Sequence, residues 1–335
     1  MKVARRYFGL KPRLPALCCA FVFAPAAVLF PQSASPGADS PQGPTLKVSV
    51  NVVNVYAVVR EKKRLVPDLS RDDFEVTEDE VSQQIRYFSR QTDTPLTLVL
   101  AVDTSPSQQR VLGGEQQAAK QFASEVLRPK DEFAVIHFDL EVELLQDFTS
   151  EVQYLTRAID STEINGGGGG PLPTTFPNSR PCCTHLYDAV YLASAQMLKN
   201  EAGRKVIILV TDGQDEGSSE TLDRSLEAAQ KADVIIYSIL LVDRGAYGGT
   251  GFGYSGESAL SKLSGETGGR VIRADNARNT GEAFQEIANE LRTQYLLGYT
   301  PSNNRNDGTF RRIRVRVKQG HYEVQARRGY YAPSR

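Results

Sequence analysis

Two aspartates stand at the ends of apolar runs: Asp103 closes the stretch LTLVLAVD, and Asp212 follows VIILVT directly. Asp103 opens the segment Asp103-Thr104-Ser105-Pro106-Ser107. A turn lets alternate side chains of so short a loop, Asp103, Ser105 and Ser107, converge on one point. Thr184 can add a fourth oxygen from the start of a helix, and Asp212 a fifth. These donors are all hard oxygens, with no thiolate or imidazole among them, which selects Mg²⁺, Mn²⁺ or Ca²⁺ over zinc or copper. Two carboxylates formally neutralise such an ion. Three uncharged hydroxyls then leave it electron-poor, with a position for water or for an Asp or Glu side chain of a partner protein. The competing reading is local, because Asp and Ser also favour turns and caps for their own hydrogen bonding. D-x-S-x-S alone is weak evidence, whereas three segments in order at strand ends are strong.

The elements that must position these residues are legible from Leu96 onward. Short continuous apolar runs alternate with helical stretches, the pattern of a sheet covered on both faces by crossover helices. The expectation is a doubly wound, mostly parallel α/β sheet over residues 93–293. Its strands are expected at 96–102, 133–138, 206–211, 234–241 and 270–273, and its helices near 115–127, 184–198, 220–231, 257–264 and 280–293. Val142 to Phe148 follows its predecessor after a tight turn and reads as an antiparallel edge strand. In such sheets ligands bind beyond the carboxyl ends of the strands, where strand order reverses. Asp103 and Asp212 occupy such ends.

Small β elements flank this domain. Residues 45–92 read as an antiparallel β unit, with Ser70-Arg71-Asp72-Asp73 as a capped turn and Phe74, Val76, Ile85 and Tyr87 in the period of two. Residues 294–335 read as further strands, the last two joined as a hairpin around Gln319-Gly320-His321. Ile313, Val315 and Val317 can face a core while Arg312, Arg314, Arg316 and Lys318 line the opposite side. That basic row reads as a solvated hairpin face rather than an anion site, since no aromatic residue interleaves with it.

At the start, Lys2, Arg5, Arg6, Lys11 and Arg13 precede the apolar run Leu14 to Phe30 and then small residues. This order marks residues 1–34 as a cleavable export signal and 35–44 as a Pro/Gly/Ser linker. The run is short and broken by Pro15 and Pro25, so no stable membrane span is expected after cleavage, and the mature protein belongs in the periplasm, the envelope or the medium. Cys18 and Cys19 leave with the signal, and the adjacent Cys182 and Cys183 cannot make a disulfide framework. A net charge of -1 gives no reason to expect nucleic acid as a partner.

The order of hydrophobic strand with D-x-S-x-S, then T-x-L-Y-D-A-V, then hydrophobic strand with T-D-G resembles the von Willebrand factor A domain. FEVTEDEVSQQIRYF before it, and QYLLGYTPSNN and RRGYYAP after it, are similar to a bacterial secreted family related to that domain. The resemblance implies a metal-ion-dependent adhesion site. Ser105, Ser107 and Thr184 would be direct ligands, and Asp103 and Asp212 would bind directly or through water. It implies adhesion or protein binding rather than catalysis. Pro106 stands where the family commonly has glycine, and a glycine-rich insertion, Asn165 to Pro181, precedes Thr184.

Other chemistry is thinly supported. Gly251, Gly253 and Gly256 spell G-x-G-x-x-G with Asp275 beyond, but no strand leads directly into them, so a loop entering a helix is the expectation. His137, His185 and His321 lie on separate elements, and no nucleophile elbow is present. A metal-dependent hydrolase or phosphotransferase is the alternative function, although Ser105 stands where a second aspartate would have served as its nucleophile. Asp139, Asp215 and Glu216 are expected to be solvated surface charges.

Overall fold

The computed structural model describes residues 52–90, 94–164, 184–241 and 255–334. The expected signal, linker, Cys182 and Cys183, and the insertion 165–181 lie outside the described residues, as do Gly251 and Gly253. The chain opens with β1 (Val53–Glu61), β2 (Arg64–Leu65), β3 (Phe74–Glu78), β4 (Val81–Gln83) and β5 (Ile85–Arg90). The α/β part follows with β6 (Leu96–Asp103), α1 (Leu112–Val126), β7 (Glu132–Phe138), β8 (Val142–Thr149), α2 (Val152–Asp160) and α3 (Leu186–Leu192). It continues with β9 (Arg204–Thr211), α4 (Leu222–Lys231), β10 (Val234–Leu241), α5 (Ser255–Thr267), β11 (Val271–Ala274) and α6 (Ala277–Arg292). The chain closes with β12 (Tyr295–Tyr299), β13 (Phe310–Val317), β14 (Glu323–Ala326) and β15 (Gly329–Tyr331).

The apolar runs form one six-stranded sheet in the order β11-β10-β9-β6-β7-β8. All its neighbours pair in parallel except β8, which lies antiparallel at the edge as its tight connection requires. Every residue of β6 and β10 is buried, because helices cover both faces. One face packs Leu112, Phe122, Leu155, Phe284 and Ile287 from α1, α2 and α6, and the other packs Leu186, Val190, Leu226, Leu260 and Leu263 from α3, α4 and α5. From β6 the chain winds outward to β7, and from β9 it winds the opposite way to β10. The order therefore reverses between β6 and β9, the switch point where a doubly wound sheet leaves a crevice.

Two details differ from the sequence reading. The nine residues of α2 form an additional helix that buries Leu155, Ala158 and Ile159. The helix expected over 184–198 is α-helical only to Leu192 and continues as a π-helical turn over Ala193–Leu198.

The strands at the two ends of the chain fold together. β1 lies between β12 and β14, and β5 adds to β12, giving a sheet ordered β14-β1-β12-β5 with β2 on β1. β3 pairs with β13 in a second sheet ordered β15-β13-β3-β4. Val55, Ala57, Phe74, Val76, Tyr295, Leu297 and Ile313 fill the core between them. The hairpin expected around Gln319-Gly320-His321 is not formed: β13 and β14 belong to different sheets, and Gly320, at φ +89°, turns the chain from one to the other. Pairing β14 with β1 and β13 with β3 buries both apolar faces at once, which a terminal hairpin would not. Arg312, Arg314 and Arg316 do point outward, into a cleft of about 820 Å³ shared with Asp79 and Glu80.

A buried polar knot joins the two ends. Glu78, 2 % exposed, accepts hydrogen bonds from the Tyr299 hydroxyl at 2.7 Å and the Tyr330 hydroxyl at 3.0 Å, and Arg311 stands 3.5 Å away. Removing one member of a buried ion pair strands the other charge, at a cost of about 3–5 kcal/mol. Glu78→Ala is therefore expected to lower the urea midpoint by an amount equivalent to about 3 kcal/mol, with Glu78→Gln closer to wild type. An unchanged midpoint for Glu78→Ala would show that the knot does not hold the sheets together.

Candidate metal centre

Asp103 is the last residue of β6 and Thr211 the last of β9, so parallel pairing of these strands puts their carboxyl ends side by side. The Thr211 hydroxyl donates to Asp103 Oδ2 at 2.6 Å and accepts the Gly213 N–H at 3.0 Å. One threonine thus ties the Asp103 loop to the Asp212 loop. Asp103 Oδ1 accepts the N–H of Ser105 at 2.9 Å, which curls the loop back on itself. Ser105 then caps a single 3-10 turn, Pro106–Gln108, with Pro106 in the first position, where its missing N–H costs no hydrogen bond. The outcome is that Ser105 Oγ and Ser107 Oγ stand 3.0 Å apart.

Asp212 is also buried, and its Oδ1 accepts the Gln214 N–H at 3.0 Å. Gly213 adopts φ +79°, and a Cβ there would lie 2.7 Å from the carbonyl of Gly256 in the first turn of α5. Only two glycines allow that approach of backbone to backbone, which gives Gly256 a packing role. Thr184 is buried and forms a two-way backbone bridge with Glu216 at 3.0 and 2.9 Å. The next residue, His185, donates its N–H to the Asp139 carbonyl at 2.8 Å. Thr184 is therefore held by the loop that carries Asp212 on one side and by the loop after β7 on the other.

Asp139 departs from its expected role. It is 2 % exposed and accepts the Thr104 hydroxyl at 2.7 Å, while His137 Nδ1 lies 3.0 Å from the same hydroxyl. It anchors the Asp103 loop from below instead of facing solvent. Asp215 is half-buried and accepts the Tyr187 N–H at the start of α3 and the Ser218 hydroxyl, at 3.1 and 2.6 Å. Glu216 is exposed, as expected.

Sequence reasoning missed Glu115. It lies in the first turn of α1 on the stripe formed by Leu112, Ala118, Ala119, Phe122 and Val126, and it is 2 % exposed. The signal was present: an acid occupied a position that the helical period assigns to the core. Among the described residues neither of its carboxylate oxygens has a hydrogen-bond partner. Burial, then repulsion from Asp103 and from Asp212, pushes its carboxyl up to about 9. Burial likewise pushes Asp103 up to about 7, with Asp212 adding to the rise and the bonds from Ser105 and Thr211 opposing it.

The chemistry of this donor set fits a hard divalent ion. Negative groups share a desolvated site, the charges acting on Glu115 include no cation, and two hydroxyls already sit at ligand spacing. Among the described residues no three His, Cys, Asp or Glu side chains converge closely enough to hold an ion by themselves. Any site here would need further oxygen donors, which the serine and threonine hydroxyls can supply.

Residues 98–214, which span Asp103, Ser105, Ser107, Thr184 and Asp212, match the family model of the von Willebrand factor type A domain. This part of the chain is a von Willebrand factor type A domain. Similarity to solved structures is also found. Proximal thread matrix protein 1 from the mussel byssus is 16% identical with a TM-score of 0.47 over 64% of this chain and 51% of its own, and has also been solved with a zinc-occupied MIDAS motif. The chain thus spans about half the length of the mussel protein. An aerotolerance-related membrane protein from Bacteroides fragilis is 17% identical with a TM-score of 0.43, over 58% of this chain and 98% of its own. The vWF domain of the type V pili tip protein Mfa5 from Porphyromonas gingivalis is 14% identical with a TM-score of 0.44, over 58% and 94%. No curated protein matches.

The raised carboxyls make a prediction for the von Willebrand factor A domain in metal-free buffer. A group whose pKa is higher folded than unfolded stabilises the fold below its unfolded value and loses that contribution as pH rises through the folded one. Glu115 and Asp103 both have this sign, with folded values of about 9 and about 7. In chelator, stability should fall from about pH 5 to pH 9, by up to ~1.4 kcal/mol per pH unit for each group while it titrates. Glu115→Gln should flatten the upper part of that slope. Urea titrations at fixed pH values test this, and a slope identical in Glu115→Gln would remove Glu115 as its source.

Proposed function

We propose that this chain is an exported, non-enzymatic protein-binding module whose A domain holds one divalent ion, Mg²⁺ or its substitutes Mn²⁺ and Ca²⁺, through Asp103, Ser105, Ser107, Thr184 and Asp212. The observation that carries the reading is the pairing of two buried aspartates at neighbouring strand ends, at the sheet's switch point, with a pair of serine hydroxyls 3.0 Å apart in the same loop. When bound, the ion supplies a Lewis-acidic point for an acceptor oxygen. The chain's own residues do the rest. Thr211 and the Ser105 N–H fix both oxygens of Asp103, Pro106 stiffens the turn that presents Ser105 and Ser107, and the Thr184–Glu216 bridge holds the backbone of Thr184.

The partner is proposed to be a protein presenting an Asp or Glu side chain. Neutral hydroxyl ligands leave the ion with charge to share, and a carboxylate is the side chain that answers it. Export rests on the basic, apolar and small-residue order of residues 1–34, and among the described residues no helix is long and apolar enough to cross a membrane. Residues 45–92 and 294–335 act in this reading as a platform that carries the A domain.

Calorimetric titration with Mg²⁺ and with Mn²⁺ tests the site. Wild type is expected to bind one ion, and Asp103→Ala and Ser105→Ala are expected to lose binding by tenfold or more while keeping the fold by circular dichroism. Absence of heat from wild type with both ions defeats the reading. A pull-down from a cell-envelope fraction, with and without chelator, tests the partner, and metal-dependent turnover of phosphoester substrates lost in Asp103→Ala would replace binding with catalysis.

A further inference from the structure

Glu115 is not one of the five residues assigned to the ion, yet its environment has no structural purpose in their absence. An acid on the buried stripe of α1 normally carries a partner, because an unpaired polar group in a dry interior costs free energy. Glu115 is 2 % exposed, and among the described residues both its oxygens lack a hydrogen bond. Other buried acids here are provided for: Glu78 has two tyrosines and Arg311, Glu290 has Arg60 and Arg270, Asp131 has Arg292 and the Leu96 N–H. Glu115 instead lies in the first turn of the helix that follows the Ser105–Ser107 loop, and the charges acting on it are those of Asp103 and Asp212.

We infer that Glu115 is a sixth residue of the metal site, which accepts a hydrogen bond from water bound to the ion and so fixes that water from the helix side. The inference rests on the metal reading given above. A direct bond is not the role, since no three carboxylates close on one point among the described residues. A water-mediated role suits a buried side chain in the first turn of the helix after the Ser105–Ser107 loop whose own oxygens are open. Glu115 is thus a positioning residue: it completes the shell on the interior side and leaves the partner's carboxylate the outward position. It also adds a third negative charge around the ion, which strengthens binding without enlarging the coordination shell. Groups that orient the ligands of a metal typically change its affinity by about 10–100-fold when mutated.

The test uses the full mature chain and the ions themselves. Mn²⁺ and Mg²⁺ affinities are measured by calorimetry for wild type, Glu115→Gln and Asp103→Ala, with melting curves in chelator for each. The expected result is that Glu115→Gln binds Mn²⁺ about tenfold or more weakly, while its melting temperature in chelator equals or exceeds that of wild type. A merely structural role would lower the chelated melting temperature and leave affinity alone. Equal affinity in wild type and Glu115→Gln overturns the inference but leaves the five-residue site standing. Failure of wild type to bind either ion overturns the site and the inference together. Should Glu115→Gln fail to fold, Glu115→Met is measured in the same way. A crystal of wild type grown with Mn²⁺ decides independently of any variant: an ion placed by its anomalous signal, with Glu115 turned away from its water, also overturns the inference.

Discussion

The hydrogen bond from Thr211 to Asp103 is the contact on which the rest of the site depends. It joins the ends of the two central strands at the place where the winding of the sheet reverses, and it lies in a wholly buried setting. A carboxylate there has lost its hydration, and the fold restores only part of it, through one hydroxyl and one N–H. Asp212 on the next loop adds like charge to Asp103, and both aspartates act in the same sense on Glu115 of the following helix. A site that gathers like charges in a dry place is unstable on its own terms and is relieved by a cation.

The surrounding architecture gives that site its rigidity. The Asp103 loop is held from three directions: by Thr211 across the strand pair, by Asp139 through Thr104, and by the turn that Pro106 begins. The loop of Asp212 is pressed against α5 by two glycines and secured to the start of α3 by Asp215 and Asp188. Ligands presented from such loops lose little conformational freedom when an ion arrives, because that entropy was lost on folding.

Much of this was legible in the sequence. Runs such as VIILV and VIIYSILL, short and rich in β-branched residues, read as strands buried on both faces, so the central sheet, its edge strand and the strand-end positions of Asp103 and Asp212 follow from composition and length. What was not legible is long-range choice. Ile313, Val315 and Val317 alternate equally well beside any partner, and nothing local tells β13 to seek β3 rather than β14. Asp139 looked like a surface charge because it follows a strand end in a tight turn, whereas its carboxylate is bonded by Thr104 in the loop after β6. Glu115 was readable from helical spacing alone, but its meaning depends on two aspartates that only the fold brings near.

The interleaving of the chain's two ends has a consequence for biosynthesis. Val53 pairs with Tyr299 and Ala57 with Ala326, so β1, apart from its short pairing with β2, gains its flanking strands only when almost the whole polypeptide has left the ribosome. The α/β sheet has no such delay, since all its strands lie between Leu96 and Ala274. The central sheet can therefore assemble early, while the first strands wait as open, adhesive edges that invite chaperones or self-association. Truncation near the end of the message would release a chain with an intact central sheet and an unsealed base.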